Sequence, residues 1–233
     1  MPRARLMSHR LCTAAACVGA FGIASPVLAD DDGQLWTTVL AQGPVRGDLF
    51  LWLEAQGRLT DDFGGGSQII VRPGIGTRIA PDAHAIAGYA YIRTDPEGGR
   101  VSNEHRLWQQ IQFAALRGAD GSVRLLSRSR LEQRMREGAD RTGWRFRQLI
   151  RGQIPLAAGR PTFAVVQAEG FVNLNATDWG VRDGIDQLRG FAGVNFPLSP
   201  RLRVEPGYLI QHVFRPGRDR TNHVISATLL VRL

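Results

Sequence analysis

The chain has 233 residues, a net charge of +8 and 43% hydrophobic residues. All 29 of its basic residues are arginine, and its two cysteines, Cys12 and Cys17, both lie near the start, so a disulfide framework or a thiolate metal site is excluded for the rest of the chain. Past residue 23 no segment approaches the roughly 18–20 uninterrupted apolar residues that a membrane helix needs.

Arg3, Arg5 and Arg10 form a basic start, and Leu11 to Ile23 is apolar and rich in small residues. Val27-Leu28-Ala29 fits a small-residue cleavage site, and Asp30-Asp31-Asp32 follows at once. The pattern predicts a secretory signal peptide over 1–29 and a mature domain over 30–233. Both cysteines leave with the signal, as do three arginines, so 26 Arg face 21 acids, an excess of +5.

Eleven segments alternate in the period of a β-strand: 34–43, 48–59, 68–79, 83–94, 102–117, 122–136, 143–155, 162–174, 185–196, 202–214 and 221–233. In 48–59 one face is Leu49, Leu51, Leu53, Ala55, Gly57 and Leu59, and the other is Asp48, Phe50, Trp52, Glu54, Gln56 and Arg58. Between Val123 and Ile154 the charges keep to one side. Arg124, Arg128, Arg130, Glu132, Arg134 and Arg136 alternate with apolar residues, then Arg145, Arg147 and Arg151 alternate with Trp144, Phe146, Ile150 and Ile154. So much charge on one face is too costly for a dry core. A soluble sandwich would have to bury Arg128, Arg130, Arg134, Arg147 and Arg151 or expose the apolar face. Lipid outside and a polar lumen inside satisfy both faces. The expected fold is therefore all-β: a single antiparallel transmembrane barrel of about 10–12 strands with a charged lumen. Short connections (43–47, 80–82, 118–121, 157–160, 197–200) alternate with longer ones (60–67, 95–101, 137–142, 175–184, 215–221). Outer-membrane barrels keep short turns in the periplasm. Eleven strands then start the chain on the outer side, at odds with the usual even count.

Several segments in order carry a resemblance. They are Leu35-Trp36-Thr37, Gly88-Tyr89-Ala90-Tyr91, Glu104-His105-Arg106-Leu107-Trp108-Gln109-Gln110 and Arg128-Ser129-Arg130-Leu131-Glu132-Gln133-Arg134. Then follow Glu169-Gly170-Phe171-Val172-Asn173, Asp186-Gln187-Leu188-Arg189, Gly207-Tyr208-Leu209-Ile210-Gln211 and Asn222-His223. This order, over nearly the whole mature chain, resembles the proteobacterial family called domain of unknown function 2490. The resemblance implies an outer-membrane barrel and brings no activity, substrate or cofactor.

Phase assigns to the lumen Arg58, Arg72, Arg78, Arg93, Glu104, Arg106, Gln110, Arg128, Arg130, Glu132, Arg134, Arg145, Arg147, Arg151, Gln167, Glu169, Gln187, Arg189, Arg203, Glu205 and Gln211. The charge network expected at the core of this set is Glu104, Arg106, Arg128, Arg130, Glu132, Arg134, Arg147, Arg151, Glu169, Gln187, Arg189 and Gln211, with Arg130, Arg147 and Glu169 sharing one cluster. Three readings follow. The network fills the bore, giving a structural or narrow-channel protein. It lines an anion-selective pore for small carboxylates or phosphates. Or the barrel is a lipid-modifying enzyme, the weakest reading: Ser102-Asn103-Glu104-His105 only loosely matches a barrel hydrolase, and His84, His105, His212 and His223 all take lipid-side parity.

No catalytic group, metal or cofactor is expected. Gly64-Gly65-Gly66 and Gly74-Ile75-Gly76 lack the lysine and following helix of a phosphate loop. The expected partners are outer-membrane lipid and lipopolysaccharide, near Arg215, Arg218 and Arg220, and the barrel-assembly machinery during biogenesis. A secreted fate argues against nucleic acid. Trp36, Trp144, Trp179 and Tyr208 are candidates for interfacial girdles. The location expected is the outer membrane of a Gram-negative cell.

Overall fold

A computed structural model describes residues 30–118, 123–157 and 159–233. The signal-peptide assignment over 1–29 lies outside the described residues. Eleven strands follow one another: β1 (Asp30–Arg46), β2 (Leu49–Thr60), β3 (Gly66–Ala80), β4 (Ala83–Asp95), β5 (Ser102–Arg117), β6 (Arg124–Arg136), β7 (Gly143–Pro155), β8 (Phe163–Asn173), β9 (Gly184–Pro197), β10 (Leu202–Val213) and β11 (Arg220–Arg232). Each sequence segment is recovered to within a few residues. The strands close into one barrel, each paired antiparallel with its sequence neighbours.

The closing pair differs. β1 and β11 run parallel, in register from Asp30↔Arg220 to Gln42↔Arg232. The cause is the odd count: in an up-and-down meander of eleven strands the first and last point the same way, so only a parallel ladder can close the cylinder. The expectation of an all-antiparallel wall is corrected at this seam, and the odd count stands, with β1 starting at the rim opposite the end of β11. Parallel pairing is slightly weaker per residue, and side-chain clasps hold the seam at one rim. Arg220 donates to Asp32 and Asp61. Gly33 donates its amide to Asp62 at 3.0 Å, and Asp62 returns its own amide to Asp32 at 3.0 Å. To make this turn, Asp61, Asp62 and Phe63 take left-handed backbone angles (φ 53°, 52° and 70°), a cost the surrounding bonds must offset.

The contrast in connection length is smaller than expected. The connections 118–123 and 156–162 match several on the opposite rim. Gly118 to Val123 (2.8 Å) and Leu156 to Thr162 (3.0 Å) backbone bonds extend those hairpins and shorten the open part.

The wall has inverted polarity. Ile69, Ile75 and Ile225 are 53%, 57% and 59% exposed on the outside, while Arg130 and Glu132 are each 1% exposed inside. The inner face also carries an apolar cluster: Phe50, Trp52, Ile70, Ile86, Ala90, Ile92 and Trp108. Burying such side chains stabilises by about 1.5–3 kcal/mol apiece. Gly74 and Gly88 make room for Trp108, since a Cβ at either would lie 2.5 or 2.6 Å from its ring.

This cluster corrects the facing of β4. Ile86, Ala90 and Ile92 point inward and Tyr89 outward. Arg93 therefore sits on the outer face near the rim, 4.0 Å from Asp95. His84 is turned inward, with its ring 4.5 Å from Phe50. Both faces of β4 are apolar, so alternation alone could not orient it. Trp36, a candidate girdle residue, is also inside: it is 3% exposed and packs with Val165, Phe191, Leu209 and Val224. Trp144 and Tyr208 do face outward. Trp179 lies in the β8–β9 connection, with the Arg134 guanidinium 4.9 Å from its ring.

Candidate functional site: the lumen charge network

The network begins with a conflict built into the strand register. Arg130 of β6 lies directly opposite Arg147 of β7, and Arg106 of β5 opposite Arg134 of β6. Like charges facing each other across a ladder repel. A glutamate diagonal to each pair relieves the repulsion. Glu104 accepts from Arg106 at 2.6 Å and from Arg134 at 2.6 and 3.1 Å. Glu132 accepts from Arg145 and Arg147 at 2.7 Å each. Arg106 and Arg130 stand 3.8 and 3.9 Å from the same carboxylate. One buried anion thus holds four guanidiniums from three strands.

Further links run across the lumen. Glu169 accepts from Arg128 at 2.8 Å and from Arg147 at 2.8 and 3.0 Å. Arg145 reaches Asp186 on β9 at 3.1 Å. Arg151 on β7 reaches Glu205 on β10 at 2.8 Å, and Asn195 donates to Glu205 at 2.7 Å. Arg130 donates to Gln110 at 2.9 and 2.6 Å. Its guanidinium lies 4.7 Å from the Trp108 ring and 5.5 Å from that of Trp52 on β2, contacts of cation–π type. Arg130, Arg147 and Glu169 therefore share one cluster, joined through Glu132 and Arg147. Arg189 bonds Gln187 at 2.8 Å, and Gln187 meets Gln211. Turning the Gln211 amide places its oxygen 2.9 and 3.2 Å from Arg189. All twelve residues assigned to the network face the lumen.

Phase left two acidic members, Glu54 and Asp186, out of the lumen set. Glu54, on the inward face of β2, accepts from Arg72 at 2.6 Å. Arg58 donates to Gln56 at 2.8 and 2.5 Å and to Gln68 at 3.0 Å. Alternation in 48–59 placed Glu54 and Arg58 on the correct face, but it could not supply partners from other strands. Arg78 has inward parity but pairs with Asp48 at the short-turn rim, outside the network.

A lumen cavity of about 600 Å³ remains among these side chains. Nine arginines (58, 72, 106, 128, 134, 145, 147, 151 and 189) and four glutamates (54, 104, 169 and 205) line it. The uneven count leaves the space strongly electropositive.

The outer face carries the other titratable clusters. His105, His212 and His223 face outward near the long-connection rim, each beside a carboxylate: Glu137 at 3.2 Å, Asp219 at 3.3 Å and Asp31 at 3.8 Å. Hydrogen bonds from Asn103 and His105 hold the Glu137 carboxyl below its usual range. Glu104 and His105 point to opposite faces, so they cannot act on one substrate. Ser127 and Ser129 are outward and are bridged by Gln148 at 2.9 and 2.5 Å. Among the described residues no group of three or more His, Cys, Asp or Glu is placed to hold a metal ion.

Comparison with known proteins agrees with the resemblance read in the sequence. An uncharacterised protein of Methylorubrum extorquens is 35% identical over 230 residues, covering 98% of this chain and 97% of that one. A solved structure, the siderophore receptor PirA from Pseudomonas aeruginosa, aligns over 73% of this chain at 16% identity with a TM-score of 0.34. This chain spans about a third of that receptor's length, 32%. The profile of a protein family of unknown function, DUF2490, matches residues 33–222, and the chain belongs to that family.

Proposed function

We propose that the protein is an outer-membrane β-barrel of structural or narrow-channel type, whose bore is occupied by its own charged side chains. One observation carries this reading: Glu132, 1% exposed, gathers four guanidiniums inside a wall whose outer face is apolar. An apolar belt around a charged interior suits lipid outside and a polar lumen inside. Eleven strands stand between the eight that side chains can fill and the sixteen to eighteen that leave a channel. Contacts such as Arg151–Glu205 and Arg130–Trp52 reduce the bore further.

On this reading a signal peptide over 1–29 is removed on export, and the short connections face the periplasm. The partners are outer-membrane lipid, lipopolysaccharide and, during biogenesis, the barrel-assembly machinery. The lumen works without catalysis, cofactor or nucleic acid. Fractionation tests location: the mature chain should sediment with outer membranes and show heat-modifiable migration, and recovery in the soluble periplasm would overturn the proposal. Conductance of refolded protein in planar bilayers tests the bore. Small or absent steps are expected; large, steady steps would favour an open pore. The surplus of arginine around the cavity favours a second reading, an anion-selective pore, whose signature is a reversal potential displaced toward chloride in a salt gradient.

A further inference from the structure

Seven of the nine arginines lining the cavity have a carboxylate within 4 Å. Arg72 pairs with Glu54, Arg106 and Arg134 with Glu104, Arg128 and Arg147 with Glu169, Arg145 with Asp186, and Arg151 with Glu205. The remaining two, Arg58 and Arg189, have none among the described residues. Amides hydrogen-bond them instead, Gln56 and Gln68 to Arg58 and Gln187 to Arg189; Glu169 faces Arg189 across the β8–β9 ladder, but its carboxylate is taken by Arg128 and Arg147. Arg58 and Arg189 both approach the same indole. The Arg58 guanidinium lies 3.7 Å from the Trp36 ring centre and the Arg189 guanidinium 5.0 Å from it. Their central carbons are therefore no further apart than the sum of these distances, 8.7 Å.

Neutral amides orient a guanidinium without cancelling its charge. Two such cations, within 8.7 Å of each other in a confined cavity with excess positive charge, repel each other and their neighbours. The repulsion falls when an anion sits between them. Oxygens bonded to guanidinium nitrogens at about 2.7–2.9 Å let one compact oxyanion engage both groups. We propose that Arg58 and Arg189, braced on Trp36, form a binding site inside the lumen for a small, multiply charged oxyanion of phosphate or dicarboxylate type. Two fixed forks favour two negative charges over one and oxygen acceptors over halide. The site deepens the reading of the lumen as a charged, narrow bore and rests on small solutes reaching the cavity from at least one rim.

The test is calorimetric titration of the refolded full-length barrel in detergent, with inorganic phosphate and succinate as probes and chloride at matched ionic strength as reference. Saturable binding of phosphate or succinate is expected, and whichever of the two binds more tightly identifies the source. Arg58→Gln and Arg189→Gln should each weaken it at least tenfold. Arg93→Gln, which removes the same charge from the outer face, should leave it unchanged. A wild-type protein that binds neither probe, or a double variant that binds as tightly as wild type, would overturn the site. Should the lumen variants fail to fold, the wild type still decides. Phosphate or succinate must raise its unfolding midpoint beyond what matched chloride does, and midpoints equal to chloride's for both would count against the site. Bilayer conductance separates this outcome from that of the functional reading. A closed bore that binds phosphate keeps both, an open bore that binds it removes only the closure, and absent binding removes only the site.

Discussion

Glu132→Gln probes the network at its most connected point. The substitution keeps the shape and removes one charge. Two charge-assisted bonds at 2.7 Å, from Arg145 and Arg147, lose their anion, and Arg106 and Arg130 lose a counter-charge within 4 Å. Hydrogen bonds to charged groups contribute about 1.5–3 kcal/mol each, and the amide retains part of one. Removing one partner from a buried ion cluster costs about 3–5 kcal/mol, because the other charges stay behind. With an m-value of about 2–3 kcal/mol/M in urea, the midpoint should fall by about 1–2 M. The assay is equilibrium unfolding of the refolded barrel in lipid vesicles, followed by tryptophan fluorescence and by gel migration without heating. A shift smaller than about 0.3 M would mean that water already screens Glu132 and that the lumen is not the desolvated plug its exposure implies. Glu169→Gln should also destabilise, and since Arg147 contacts both carboxylates, the double change should depart from additivity by at least about 0.5 kcal/mol.

Three other outcomes follow from features outside the network. If the outer face meets lipid as proposed, Ile150→Arg, which puts a charge there at the middle of β7, should cost about 2–4 kcal/mol; yields in liposomes equal to those of Ile150→Ala would show that the face is misassigned. Gly74→Ala drives a methyl group into the Trp108 ring and should cost about 1–3 kcal/mol. Trp108→Phe should restore most of that loss, as the indole nitrogen has no hydrogen-bond partner among the described residues. In the β8–β9 connection Asp178 accepts backbone amides from Asp140 (2.9 Å) and Arg141 (3.2 Å). The Asp140 amide bond above all holds its carboxyl below the ordinary value of 3.8. A depressed carboxyl stabilises this loop contact above the unfolded pKa, and the contribution fades as pH falls through the folded one. Protection of the Asp140 and Arg141 amides against hydrogen exchange, taken relative to their intrinsic rates, should fall between pH 7 and pH 2. Asp178→Asn should show reduced protection of both amides already at pH 7, and equal protection at pH 7 for variant and wild type would refute the clasp.

The sequence was most legible where chemistry differed sharply between faces. In β6 and β7 arginine alternates with leucine, phenylalanine and isoleucine, so phase alone found Arg128, Arg130, Arg134, Arg147 and Arg151. In β4 the residues on both faces are apolar, and Arg93, near the strand end, was a misleading guide. Trp36 was misplaced for a related reason: a lumen that holds an apolar cluster beside its charges breaks the rule that inward means polar. Partners were illegible for a geometric reason. Arg151 and Glu205 are 54 residues and three strands apart, and their meeting depends on strand tilt and stagger around the cylinder, which local alternation does not encode.

The parallel seam between β1 and β11 also governs how the chain can be recut. In an even-stranded barrel both termini emerge at one rim, and a short loop joins them. Here the thirteen rungs from Asp30↔Arg220 to Gln42↔Arg232 separate the start of β1 from the end of β11. At about 3.3 Å per residue that is roughly 40 Å along the strands, from one rim to the other. A circular permutant would need a linker that crosses the wall or threads the occupied lumen. The seam thereby makes the native order of strands a topological requirement, while tags or fused domains can address the two rims independently.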